Sequence, residues 1–267
     1  MERIGIIGGT GLVDFEFKDG PNEEYHMFEK RTDNVMVQTE YGQVPLKCMT
    51  INIIGKDEEK ELFFLQRHHN GEQANKPPHS INHKANMAAL KEACCDVIIS
   101  VCSVGTLEAD FPPGKVALAD QYIDFSGVAS TFSEEFATFT SVTEPFSAEL
   151  NNKLESGLRS SQGFDNSNER MYYTYWLAQG PHFETRAEVD AIGLLGGHMV
   201  GMTMAREVKL ANELNIPYSA ICISSNWAAG REPGDRSAEL SHQQVSAQAN
   251  ERLEPVFQTL FNILRDE

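Results

Sequence analysis

The chain has 267 residues, 41% hydrophobic and 23% charged, which is long and apolar enough to bury a sizeable core. That composition excludes disorder as the main state, and no apolar run approaches the roughly 20 residues of a membrane-spanning helix. With 22 basic against 39 acidic residues the formal net charge is −17, which disfavours nucleic acid and anionic membranes as partners. An anionic ligand would be repelled at long range and must be held by local donors.

Strand candidates alternate with helical periods along the chain. Ile4–Ile7 reads as a buried strand ending in Gly8-Gly9-Thr10-Gly11, and Val35–Thr39 with Pro45–Ile54 reads as a meander. Glu61–Leu65 is a strand leading into a polar loop, and residues 81–94 carry apolar positions at helical spacing. Strands follow at Val97–Val101 and Val116–Ile123, then a helix at Ser147–Leu158 and a strand at Met171–Trp176. A short helix is expected at Ala187–Leu194, a strand at Met199–Met202, a helix at Arg206–Leu214 and a strand at Tyr218–Ser224. A long final helix is expected over Ala238–Leu264. The alternation predicts a single α/β domain over residues 1–267, three-layered α/β/α around a central mixed, mostly parallel sheet. Ligands of such sheets gather at strand ends, so Gly8–Leu12, Arg67–Pro78, Cys102–Thr106 and Ser224–Gly230 are the candidate ligand loops.

Several residues there could carry chemistry. The glycine turn at Gly8–Gly11 can aim backbone N–H groups at an anion, with the Thr10 hydroxyl as a further donor. It meets neither the dinucleotide fingerprint nor the nucleotide-hydrolase phosphate loop, so a plain tight turn stays open. Arg67, leaving a core strand, can clamp phosphate in bidentate fashion beside His68, or can be a solvated loop charge. Ser103 and Thr106 flank Gly105 in a small-residue segment. Glu184 can be a helix-start carboxylate or a recognition group beside Phe183, and Asn226 can be a turn-former or a reader of a heterocycle edge. His242 can be an ordinary surface histidine, and Met199, Met202 and Met204 core filler. No spacing of His, Cys, Asp and Glu suggests a metal. The five cysteines (Cys48, Cys94, Cys95, Cys102, Cys222) lack disulfide spacing, which fits a cytoplasmic location.

Taken together, ordered segments across almost the whole chain resemble the trimeric purine nucleoside phosphorylase and methylthioadenosine phosphorylase family. They are Ile4–Leu12, Gln66–His68, Asn82–Asn86, Gly105–Leu107, Pro113–Gly114, Asp120–Asp124, Glu144–Phe146, Gly180–Glu188, and Gly201–Thr203 with Glu207. The resemblance implies phosphorolysis of a purine nucleoside to free base and ribose 1-phosphate, with inorganic phosphate as co-substrate and no cofactor or metal. It implies phosphate binding by Thr10, Arg67, His68, Ser103 and Thr203, with Met202 against the ribose and Phe183 on the base. Catalytic work falls to Asn226, Glu184 and His68. Phe139 would enter the sugar pocket of a neighbouring subunit in a homotrimer.

Base and 5′ group are read from differences within that family. Asn226 and Ala228 stand where methylthioadenosine enzymes carry aspartates, and Glu184 matches the glutamate of 6-oxopurine enzymes, which points to inosine or guanosine. His242 aligns with a histidine meeting the 5′-hydroxyl, whereas the overall framework looks closer to the methylthio branch, so methylthioinosine is the alternative. Met204-Ala205-Arg206 replaces the Thr-Val-Pro expected after Met-Thr, and Cys102-Ser103 replaces a more usual pair. A nucleoside-binding protein without turnover is the non-enzymatic reading.

Overall fold

The computed structural model describes residues 2–16, 27–54, 59–70, 76–136, 138–240 and 252–266. Nine strands form one sheet. They are β1 (Arg3–Gly8), β2 (Met27–Thr39), β3 (Gly42–Ile53), β4 (Glu59–Gln66), β5 (Val97–Thr106), β6 (Val116–Ile123), β7 (Tyr172–Leu177), β8 (Met199–Gly201) and β9 (Tyr218–Trp227). Their order is β2-β3-β4-β1-β5-β8-β7-β6-β9. The sheet is mixed, with parallel pairs β1–β4, β1–β5, β5–β9, β6–β7 and β7–β8 and antiparallel pairs elsewhere. Because β9 also pairs with β5, the far end curls on itself and closes a ring through β5, β8, β7, β6 and β9.

Five helices among the described residues flank the sheet: α1 (His83–Glu92), α2 (Ala148–Ser161), α3 (Arg186–Leu194), α4 (Met204–Glu213) and α5 (Glu254–Asp266). The expected layers are visible in the core. Apolar residues of α1 and α4, such as Met87, Leu90, Val208 and Leu210, bury against one side of the sheet. Those of α2 and α5, such as Leu150, Leu154, Val256 and Leu260, bury against the other. Local chemistry sets the helix starts: Asn82 and Ser147 accept from Ala85 N and Leu150 N, satisfying first-turn donors.

Three expectations shift. The segments Cys102–Thr106 and Ser224–Trp227, expected as loops, are strand, because β5 and β9 keep pairing to Gly105↔Asn226 and Thr106↔Trp227. The α4 helix begins at Met204 rather than Arg206. The final helix begins at Glu254 rather than Ala238, with 238–240 and 252–253 non-helical, and 241–251 lie outside the described residues.

Candidate active site

Strand ends of the curled region converge on one cavity. Its wall includes Thr10, Arg67, His68, Ser103, Phe183, Glu184, Met202, Thr203 and Asn226, nine residues singled out from the sequence. Arg67 and Asn226 thus open onto the same space. Phe139 does not join it: that ring is 95% exposed. His242 lies outside the described residues. Thr106 is fully buried and its hydroxyl engages Glu108 backbone, so it serves the chain turn rather than the cavity.

One end of the cavity is a buried polar framework. Arg67 follows β4 and is tied down by its own backbone, donating N–H to Gly8 O at 2.9 Å and accepting at its carbonyl from Asn86 Nδ2 at 3.1 Å. Its guanidinium does not form the open clamp expected from the sequence. Nε donates to Glu207 Oε1 at 2.7 Å, Nη2 to Oε2 at 3.3 Å and to Ser100 Oγ at 3.3 Å, and Nη1 to Val101 O at 3.0 Å. The bidentate fork therefore faces Glu207, and one Nη1 hydrogen remains for the cavity. Burial works against the Arg67 charge, and the neighbouring Cys102 and Glu207 raise its pKa in spite of it. Burial also keeps the Cys102 thiol neutral, so the carboxylate is the partner that counts. Gly9 is required by this geometry, since a Cβ there would collide with Arg67 Nη1.

The remaining polar groups of this end come from four strands or the turns that follow them, β1, β4, β5 and β8. Thr10 stands at the β1 turn. Ser103 Oγ, on β5, is buried with no hydrogen-bond partner among the described residues. Thr203 is the N-cap of α4, yet its hydroxyl makes no capping bond to that helix. Its backbone N–H donates to Tyr175 Oη at 3.1 Å, an approach possible only because Gly201 has no Cβ to meet that hydroxyl. An uncapped helix N-terminus with a loose hydroxyl is a ready anion site. His68 Nδ1 lies 2.8 Å from Lys76 O, an acceptor only, so Nδ1 carries a proton.

The other end is built for a flat polar ring. Phe183 and Glu184 immediately precede α3, whose capping box pairs Thr185 with Glu188. Glu188 thus takes the helix-start role open to Glu184, which is left with Oε1 sealed from solvent and unpartnered. Burial raises the Glu184 pKa, and the Glu188 charge adds to it against the carboxylate's own backbone bond. Asn226 lies in β9 and is no turn-former. Between Val104↔Ser224 and Gly105↔Asn226 the ladder skips Ser225, a bulge that lets consecutive side chains, Ser225 and Asn226, share the cavity wall. Asn226 Oδ1 accepts from Ser225 Oγ at 2.9 Å and Nδ2 donates to Trp227 O at 2.8 Å. One donor hydrogen and one acceptor lone pair stay available on that amide.

Pro78 and Ser225 of the expected ligand loops also line the wall, whereas sequence reasoning missed Val200 and gave Glu207 no role. Glu207 left a signal: it stands three residues after Met204 and four before Ala211, on the buried stripe of α4, where a carboxylate demands a buried cation. The bulge at Ser225 left none.

The chain matches the Phosphorylase superfamily over residues 3–262. It is 34% identical to "6-oxopurine nucleoside phosphorylase" of Pyrococcus furiosus, over 92% of this chain and 85% of the relative. It is 35% identical to "Probable S-methyl-5'-thioinosine phosphorylase" of Methanothermobacter thermautotrophicus, over 86% and 73%. Its fold matches the crystal structure of methylthioadenosine phosphorylase from Schistosoma mansoni in complex with adenine, with a TM-score of 0.80 at 24% identity over 99% of this chain and 92% of that one. The chain belongs to the phosphorylase superfamily.

Proposed function

We propose that this protein, as a single nucleoside phosphorylase domain over residues 1–267, cleaves 6-oxopurine nucleosides of the inosine and guanosine type with inorganic phosphate. The products are free base and ribose 1-phosphate. One observation carries the reading: a donor-rich end (Thr10, Arg67, His68, Ser103, Thr203) and an edge-reading end (Glu184, Asn226) open onto the same cavity. Relatives of 34–36% identity carry the name 6-oxopurine nucleoside phosphorylase, which supports it.

The chemistry needs two charges stabilised at once. As the N9–C1′ bond lengthens, positive charge grows on the sugar and negative charge on the purine. A hydrogen phosphate dianion held by Thr10, Ser103, the Thr203 end of α4 and the remaining Arg67 N–H sits under C1′ and stabilises the first. His68, on the same wall, lies beside that dianion and passes its proton to solvent. At the other end the free Asn226 N–H donates to O6, its free lone pair accepts from the N7–H that forms as the base leaves, and Glu184 accepts from N1–H. A phosphate oxygen bonds to C1′, the glycosidic electron pair leaves with the purine, N7 takes up one proton from solvent, and the phosphate gives one up. Adenine has a lone pair at N1, so Glu184 would face it without a proton between them. A buried group left unpaired this way discriminates by up to roughly 10⁴-fold. Met202 would back the ribose and Phe183 would lie on the purine.

The working unit in this reading is a homotrimer, each subunit lending Phe139 to its neighbour. The 95% exposure of that ring, with Phe125 and Phe136 also exposed on the same segment, supports this. A cytoplasmic location is supported by five cysteines without a disulfide. The second reading keeps the 6-oxopurine and replaces the 5′-hydroxyl by methylthio, as the name of the Methanothermobacter relative suggests.

Phosphate-dependent base release is the test, with inosine, guanosine, adenosine, methylthioinosine and methylthioadenosine compared. The reading expects inosine or guanosine first and adenosine far behind. Adenosine turned over as well as inosine overturns the base assignment, and methylthioinosine in first place installs the second reading.

A further inference from the structure

The donor-rich end of the cavity has a charge deficit. Glu207 neutralises Arg67, with both side chains at most 2% exposed, so that pair adds little net attraction for a dianion. The whole molecule, at −17, repels one. Yet a second guanidinium is buried close by. Arg206 is 5% exposed, and its Nε and Nη2 have neither solvent nor a hydrogen-bond partner among the described residues. No carboxylate among those residues pairs with it: Glu207 Oε1 takes Arg67 Nε, and Oε2 takes Arg67 Nη2 and Tyr218 Oη at 2.9 Å.

The neighbouring ring does not resolve this. His83 of α1 is buried, both its nitrogens lack hydrogen-bond partners, and Nδ1 stands 3.9 Å from Glu207 Oε1. Burial, then Arg206, Arg67 and His68, press its pKa down to about 3, so it is neutral. Among the described residues this buried group therefore carries two guanidinium charges against one carboxylate.

The helix fixes the direction in which it lies. Arg206 is three residues after the N-cap Thr203, on the same face, and its backbone N–H bonds Thr203 O at 3.1 Å. Helical side chains lean toward the N-terminus of their helix. The Arg206 side chain therefore starts out toward the end of α4 where Thr203 lines the cavity and where the helix dipole already favours an anion. Arg206 does not itself line the cavity, and its buried charge acts over distance in a low-dielectric setting.

We infer that Arg206 is a second, uncompensated cation of the anion subsite at the α4 N-terminus, acting on bound phosphate through the Thr203 wall. This rests on the phosphorolytic reading for the identity of the anion. It also accounts for the one place where the Met202-Thr203 segment departs from its resemblance, since an arginine there supplies charge that the Arg67–Glu207 pair withholds.

The experiment uses the full chain and inorganic phosphate, with Arg206→Met and Arg206→Lys beside wild type. Thermal unfolding is measured without phosphate and over a phosphate series, and steady-state rates over both substrates. Arg206→Met is expected to unfold no earlier than wild type without phosphate, because an unpaired buried charge has been removed. It is also expected to lose most of the phosphate-induced rise in Tm. Its KM for phosphate should rise about tenfold or more with the nucleoside KM within about twofold. Arg206→Lys should recover most of the phosphate effect. An unchanged phosphate response in Arg206→Met, a failure of that variant to fold, or an Arg206→Lys response as weak as that of Arg206→Met each overturns the inference. Wild type stabilised by phosphate but releasing no base instead overturns the phosphorolytic reading, and the Tm arm still decides Arg206.

Discussion

The two ends of the cavity are built on different principles. At the donor-rich end Arg67 is 2% exposed and held by four hydrogen-bonding neighbours, Glu207, Ser100, Val101 O and Cys102 among them. At the edge-reading end Glu184 keeps an unpartnered oxygen and Asn226 keeps a free donor and acceptor. The Arg67–Glu207 pair is fixed before any ligand arrives, whereas Glu184 and Asn226 complete their bonds only with one. Substitutions of that pair should therefore damage folding and rate together, whereas those at Glu184 and Asn226 should redirect selectivity and spare the fold.

The largest effect that sharpens this contrast is on stability. Glu207→Ala leaves the Arg67 guanidinium buried and unpaired and is expected to cost about 3–5 kcal/mol in urea unfolding. A loss under about 1 kcal/mol would break the contrast, because Arg67 would then be shown to find other partners easily. Glu184→Gln comes next and acts on rate rather than fold. Replacing the carboxylate that accepts from N1–H by a neutral amide is expected to lower kcat/KM for inosine by about 100-fold or more, with Tm nearly unchanged. A parallel drop in Tm would show Glu184 to be structural.

Only part of this contrast is legible in the sequence. The strand–helix alternation, the turn after β1 and the small residues around Gly105 announce themselves by local pattern. The Arg67–Glu207 pair does not, since it joins positions 140 residues apart through the curl of the sheet, which periodicity does not report. Arg67 consequently reads as an open clamp from sequence although its fork is occupied. The register skip at Ser225 is equally silent, because it depends on how β5 and β9 pair. Glu184 is a middle case: the capping partner Glu188 is visible four residues on, and recognising it frees Glu184 from the helix-start role.

Smaller effects refine the edge-reading end. Asn226→Asp replaces the donor to O6 with an acceptor, and the ratio of adenosine to inosine turnover is expected to rise about tenfold or more. An unchanged ratio would show that this side chain does not read the base. The pH dependence follows from Glu184, whose folded pKa is raised by burial. Between its unfolded and folded values the native state holds the extra proton, so its contribution to stability falls as pH rises through that window. Nucleoside binding runs the other way, since the ionised Glu184 is the stronger acceptor for N1–H. The acid limb of kcat/KM for inosine should accordingly sit above the ordinary carboxylate range of about 4.3, and should vanish in Glu184→Gln. A limb that persists in that variant belongs to another group.

The most direct measurement is phosphorus NMR of the protein with inosine and inorganic phosphate. A sugar 1-phosphate resonance should grow in step with hypoxanthine, one for one, and neither product should form when phosphate is left out. Hypoxanthine accumulating while the inorganic phosphate signal stays constant would mean that water, not phosphate, occupies the donor-rich end, and the account would fail.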